Sequence, residues 1–226
     1  MAKHLLKQII FLTVYLAFTP ACFSQDTGVY LRAGPGAGKP LMETLSEELE
    51  EQGNEMPELG YVLPVSIGKK FLDESIGAEL MFSYSIIPGL RYKNDYEDFK
   101  ESFGHYSFSF LLRKYLLPGK RQFSPSVGAG IGYGRSNLVS GGGRLESAEL
   151  ILSALIESGF RKNKKFFIEA VYTRALNTGT FEAAHLENVS GDIILDSRGN
   201  PLEENYSFFE IRAGISFYLK TPKSYY

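Results

Sequence analysis

Apolar and polar residues alternate with period two over repeated stretches of about ten residues, the spacing of strands with one oily and one polar face. The clearest stretch is 207–220, where Phe209, Ile211, Ala213, Ile215, Phe217 and Leu219 oppose Glu210, Arg212, Gly214 and Ser216. In 104–117, Tyr106, Phe108, Phe110 and Leu112 oppose Ser107, Ser109 and Arg113. In 122–136, Val127, Ala129, Ile131 and Tyr133 oppose a run of serine and glycine. Residues 149–161, 165–176 and 75–87 repeat the pattern, and 60–71 and 27–34 carry it less regularly. The alternation predicts eight strands.

The connections sort into two kinds. Three are tight, at 72–74, 118–121 and 162–164. Four are long, at 35–59, 88–103, 137–148 and 177–204. They alternate strictly, long then short. An up-and-down barrel crossing a membrane, with both termini on one side, produces this order. The expectation is therefore an all-β, eight-stranded antiparallel transmembrane barrel with three short periplasmic turns and four longer outer loops. Within the loops, Leu41, Leu45 and Leu49 suggest an amphipathic helix over 40–52, and a small hairpin is expected around 196–200.

Girth assigns the faces. Phe, Leu, Ile and Tyr fill one face of nearly every strand, while Gly and Ser with isolated charges fill the other. Eight strands leave an interior only just wide enough for side chains, so the small face is assigned to the lumen and the bulky one to lipid. The small face carries Arg32, Glu79, Arg113, Glu157, Glu169, Glu210 and Arg212. In a lumen these must pair, because an unpaired buried charge is very costly. Tyr84, Tyr106, Tyr115, Tyr133, Tyr172 and Tyr218 are read as interfacial girdles. A soluble lipocalin-like barrel, with the faces inverted around an apolar ligand, is the structural rival.

Composition sharpens this picture. The 226 residues include 23 Gly, 17 Phe and 14 Tyr but no Trp, a β composition. The formal charge of −2 and the lack of a broad basic patch argue against nucleic acid as a partner. Charge is segregated instead: the long loops 35–59 and 177–204 are strongly acidic, 88–103 is slightly so and 137–148 is neutral, while the second and third short turns are basic. The acidic loops are one means of gathering divalent cations near lipid headgroups.

Residues 1–24 read as a secretory signal peptide, with Lys3 and Lys7 ahead of the apolar run 9–18. Residues 25–220 are then the barrel and 221–226 a tail. The single cysteine, Cys22, rules out an internal disulfide and a cysteine-rich zinc site. Lipidation of Cys22 is the sharper alternative, but Thr19-Pro20-Ala21 lacks the large aliphatic residue such signals place before the cysteine.

Residues 106–134, YSFSFLLRKYLLPGKRQFSPSVGAGIGYG, and the closing strand RAGISFYLK resemble the outer-membrane β-barrel domain family, the small barrels of the OmpA/OmpX and PorT-like kind. The closing strand is similar to that family's C-terminal assembly signal, although Thr221–Tyr226 extend past it. The resemblance implies contact with outer-membrane lipid and lipopolysaccharide and with the barrel assembly machinery during biogenesis. It also implies an unidentified protein or surface ligand at the loops. Family members include passive barrels, adhesins and accessory subunits of secretion machinery.

Candidate chemistry is sparse. Gly34–Pro40 hints at a phosphate-binding loop, but Ala33 stands where its first glycine belongs and Pro40 replaces the magnesium-holding Ser/Thr; it reads as the exit from the first strand. His105 and Ser107 share a strand face, as in small lipid A deacylases, yet they fall on the lumen face with no orienting carboxylate in view. His185 with Glu182, Glu187 and Asp192 lacks a recognised metal-ligand spacing. Asn188 and Asn205 stand in glycosylation sequons, which carry no weight in a bacterial protein. The reading is a non-enzymatic barrel without a cofactor or catalytic residue. Its alternatives are a secretion-complex subunit, a soluble carrier and, remotely, a lipid A-modifying enzyme.

Overall fold

The computed structural model describes residues 28–42, 46–47, 50, 59–72, 74–93, 98–117, 123–138, 144–161, 163–177, 179–180, 203–204 and 206–219. The expected signal segment, Cys22, the metal-like group around His185 and the C-terminal tail lie outside these residues, as does the hairpin expected at 196–200.

Eight antiparallel strands close on themselves. Strand β1 consists of two segments, Val29–Ala33 and Gly36–Pro40. The others are β2 (Gly60–Phe71), β3 (Ile76–Lys93), β4 (Asp98–Tyr115), β5 (Phe123–Leu138), β6 (Arg144–Arg161), β7 (Lys164–Ala175) and β8 (Ser207–Tyr218). Each pairs with its sequence neighbour, and β8 pairs with β1 to close the ring. Gly179–Thr180 and Glu203–Glu204 form a separate short pairing beyond the barrel wall.

The two segments of β1 keep one register against both β8 and β2. Pro35 cannot donate to the ladder, but its carbonyl accepts from the Ala213 amide at 3.0 Å. The stretch expected to leave the first strand at 35 therefore continues as strand to Pro40. Gly34 lies backbone-to-backbone against Ala213 and Gly214, where a Cβ has no room. The ladders occupy the backbone amides that a phosphate cradle would need. The expected helix over 40–52 cannot begin before the strand ends; residues 46, 47 and 50 are helical, with Ser46 donating to the Met42 carbonyl at 3.0 Å.

The pairing also fixes the stagger. Stepping across the ladders from Tyr30 through Gly68, Glu79, Leu111, Gly130, Ile151, Thr173 and Phe208 returns to β1 at Pro40, ten residues further on. With eight strands this shear tilts them by about 40° and leaves a lumen only as wide as its own side chains.

The faces are unambiguous. Leu63, Ile67, Phe82, Phe108, Leu112, Ile131, Leu152, Ile156, Ile168 and Ile211 stand exposed on the outer wall, while the alternate residues are buried inside. A soluble barrel would have the opposite arrangement. Strands β3 to β6 run beyond their expected ends, which shortens the loops expected at 88–103 and 137–148. At the other end, the β2–β3 turn places Leu72 at φ 45° and Glu74 at φ 65°. Ser75 closes it by donating through its amide (3.0 Å) and hydroxyl (2.7 Å) to the Leu72 carbonyl.

Candidate functional site

The lumen concentrates the charged chemistry of the barrel. Alternation sends every second residue of each strand inward, and the stagger brings distant strands to one height. Arg32, Glu79, Arg113, Glu157, Glu169, Glu210 and Arg212 all point in, none more than 3% exposed.

They form a chain of alternating charge with Lys70 at one end. Lys70 Nζ donates to Glu157 at 3.3 Å. Glu157 also accepts from Arg32 at 3.0 Å, Ser216 at 2.7 Å and Tyr218 at 2.8 Å, four donors for the four lone-pair directions of a carboxylate. Arg32 Nη1 binds both oxygens of Glu79, at 3.0 and 2.9 Å. Glu79 accepts as well from Arg113 Nε at 2.5 Å and the Tyr30 hydroxyl at 3.2 Å. Arg113 reaches on to Ser153 at 2.8 Å and to Glu169. Arg212 lies 3.9 Å from Glu169 and donates to Glu210. Lys70 is one of the residues that sequence reasoning missed; two residues before a short turn that carries Asp73 and Glu74, it resembles an ordinary solvated charge.

Two of the tyrosines assigned to girdles are lumenal. Tyr115 and Tyr218 are 1% and 7% exposed and flank Lys70, whose Nζ lies 4.0 Å from the Tyr115 ring centre and 5.2 Å from that of Tyr218. Their positions share the inward parity of Arg113 and Arg212. Tyr84 and Tyr106 do lie on the outer face, stacked across β3 and β4 at 6.3 Å. Tyr30 fills the space that Gly68 leaves, where any Cβ would fall inside its ring.

Met81, Leu111, Ile151 and Val171 form an apolar cluster level with the far end of the charged chain, where Arg212 Nη1 lies against Met81 Sδ and Glu210 stands opposite Val171 in the β7–β8 ladder. Beyond it is a second polar group. Ser107 donates to Glu149 Oε2 at 2.5 Å, and His105 Nδ1 meets Ser136 Oγ at 2.8 Å. His105 Nε2 lies 2.9 Å from Glu149 Oε1, an ion-pair distance without hydrogen-bond alignment. Tyr206 stacks on His105 at 3.7 Å and shares a 3.2 Å hydrogen bond with Ser85. Glu149 is thus the carboxylate that the sequence did not reveal, because only the β4–β5–β6 register brings it to His105. Ser85, His105, Ser107, Ser136, Glu149 and Tyr206 are all buried in the lumen, on the side away from the apolar outer wall. A lipid acyl chain against that wall does not reach Ser107 or Ser136. Among the described residues, no three metal-ligating side chains converge.

No family model matches the chain, and no curated protein sequence matches it. Solved structures do. Neisserial surface protein A is 13% identical, with a TM-score of 0.55 over 84% of this chain and 96% of its own. The outer membrane protein OprG of Pseudomonas aeruginosa is 12% identical, with a TM-score of 0.56 over 86% of this chain and 96% of its own. At such identity the likeness establishes the fold, an eight-stranded barrel of the kind seen in small outer-membrane proteins.

Proposed function

We propose that the chain is an integral outer-membrane barrel, exported by a cleaved signal at 1–24, whose rigid wall displays acidic outer loops for a structural or adhesive role without catalysis. The carrying observation is the inversion of faces: large apolar side chains outside, a paired charge chain inside. Such an outer surface is stable only against hydrocarbon. In this reading the short turns and termini face the periplasm, the wall contacts lipid and lipopolysaccharide, and the barrel assembly machinery inserts the chain. The loops meet a protein or surface partner. The Ser107–Glu149–His105 group is a polar plug that ties the base of the fourth loop, through Tyr206, to the barrel.

Fractionation of expressing cells tests the reading. The protein is expected in the outer-membrane fraction, resistant to extraction without detergent, with different gel mobility before and after boiling. Recovery in the soluble periplasmic extract would overturn it.

A further inference from the structure

The end of the barrel bearing the short turns carries lysines on its outer wall. Lys69 leaves β2, Lys114 leaves β4 and Lys164 opens β7, each within a few residues of a short turn and each with the outward parity of the lipid-facing side chains. Lys69 Nζ lies 5.3 Å from the Phe71 ring centre and Lys164 Nζ 5.1 Å from that of Phe217. Lys114 is exposed between Leu112 and Leu116, both of which face outward. On the same rim, among the described residues, Glu74 is the acid of the β2–β3 turn. These ammonium groups sit close to the turn-side edge of the apolar belt, just inside the exposed Leu72, Leu116 and Leu219. In a bilayer that is the headgroup level, which long basic side chains reach by extending along apolar surface.

We propose that Lys69, Lys114 and Lys164 form a collar that binds the phosphates of anionic glycerophospholipids in the leaflet facing the short turns. The collar rests on the reading of the chain as a membrane barrel. Its occupant is argued from charge complementarity and from the continuity of each lysine with the lipid-facing belt: a phosphate reaching these groups while the belt stays covered belongs to a lipid. Lysine is suited to this as a compact point charge that accepts phosphate from several directions.

The test is folding into vesicles of phosphatidylcholine alone and of phosphatidylcholine with phosphatidylglycerol, with the loss of the heat-modifiable gel band followed against temperature. Phosphatidylglycerol is expected to raise the midpoint by several degrees. The rise should disappear in 1 M salt and in a K69Q/K114Q/K164Q variant that still folds in phosphatidylcholine. Each single Lys→Gln variant should lose part of it, so the measurement survives a triple variant that does not fold. Equal midpoints of the folded wild-type barrel in the two lipids would overturn the collar while leaving the barrel intact. So would a rise produced in phosphatidylcholine by inorganic phosphate alone, which would mark a site for the free ion. No heat-modifiable form in either vesicle would instead overturn the barrel and the collar with it.

Discussion

Glu79 accepts from Arg32, Arg113 and Tyr30, so each of these donors has a buried carboxylate as its counterpart. Arg113→Met strands Glu79 and Glu169 without their shared cation. Breaking one side of a buried ion pair costs about 3–5 kcal/mol, and urea unfolding from vesicles should show a loss of that size. Replacing Glu79 and Arg113 together by apolar residues should cost much less than the sum of the two single changes. The Tyr30–Gly68 contact makes a second residue-scale prediction. Gly68→Val should lower the yield of heat-modifiable protein, and adding Tyr30→Ala should recover part of it, because the clash is with that ring. At this scale the sequence was legible wherever alternation was allowed to decide. It placed seven charges on one face, whereas Tyr115 and Tyr218 were misplaced because aromatics near strand ends look like girdle residues. The pairings within the lumen were not legible, since they depend on a stagger of ten that no single strand encodes.

At the scale of elements, the outer wall faces a solvent whose polarity changes with depth. Ile131 is outward-facing in the interior of β5, and Leu116 lies just past the end of β4 at the short-turn rim. Arginine costs about 2–4 kcal/mol at the bilayer midplane and about 0–1 near the interface on a barrel wall. Ile131→Arg should therefore destabilise the barrel in vesicles by several times as much as Leu116→Arg. Equal effects would mean that the wall does not cross hydrocarbon. The same depth dependence explains which strand ends could be read. Within lipid the outer residues must be apolar and alternation is visible. Where β3 runs on to Lys93 and β4 begins at Asp98, the outer face carries no such requirement, and strand looks like loop. Gly34-Pro35-Gly36 has the composition of a turn, yet the ladders that end at Ala33 resume at Gly36 in the same register on both sides, so the chain runs straight on instead of turning.

For the whole molecule, the consequence of a stagger of ten on eight strands is a lumen that its own side chains fill. Tyr30, Tyr115 and Tyr218 crowd the short-turn end around Lys70 and Glu157. Arg32, Glu79 and Arg113 cross the middle, Met81, Leu111, Ile151 and Val171 share the layer above them with the Arg212–Glu210 pair, and His105, Tyr206 and Phe208 stack toward the loops. An ion entering from either end meets side chains that fill the lumen and are mostly paired with one another, and then the apolar side chains packed around Arg212 and Glu210. Desolvating a charge in such surroundings is prohibitive. The wild-type protein in planar bilayers should therefore show no steady single-channel conductance. Shortening the apolar layer alone, as in Leu111→Ala, should leave it closed, because the charged chain below still blocks the path. Removing Arg113 and Glu79 together with Leu111, by R113A/E79A/L111A, is expected to admit water and to give small openings if that variant folds. Steady conductance from the wild type would mean that the charged chain lines a channel, and a transport role would then replace display.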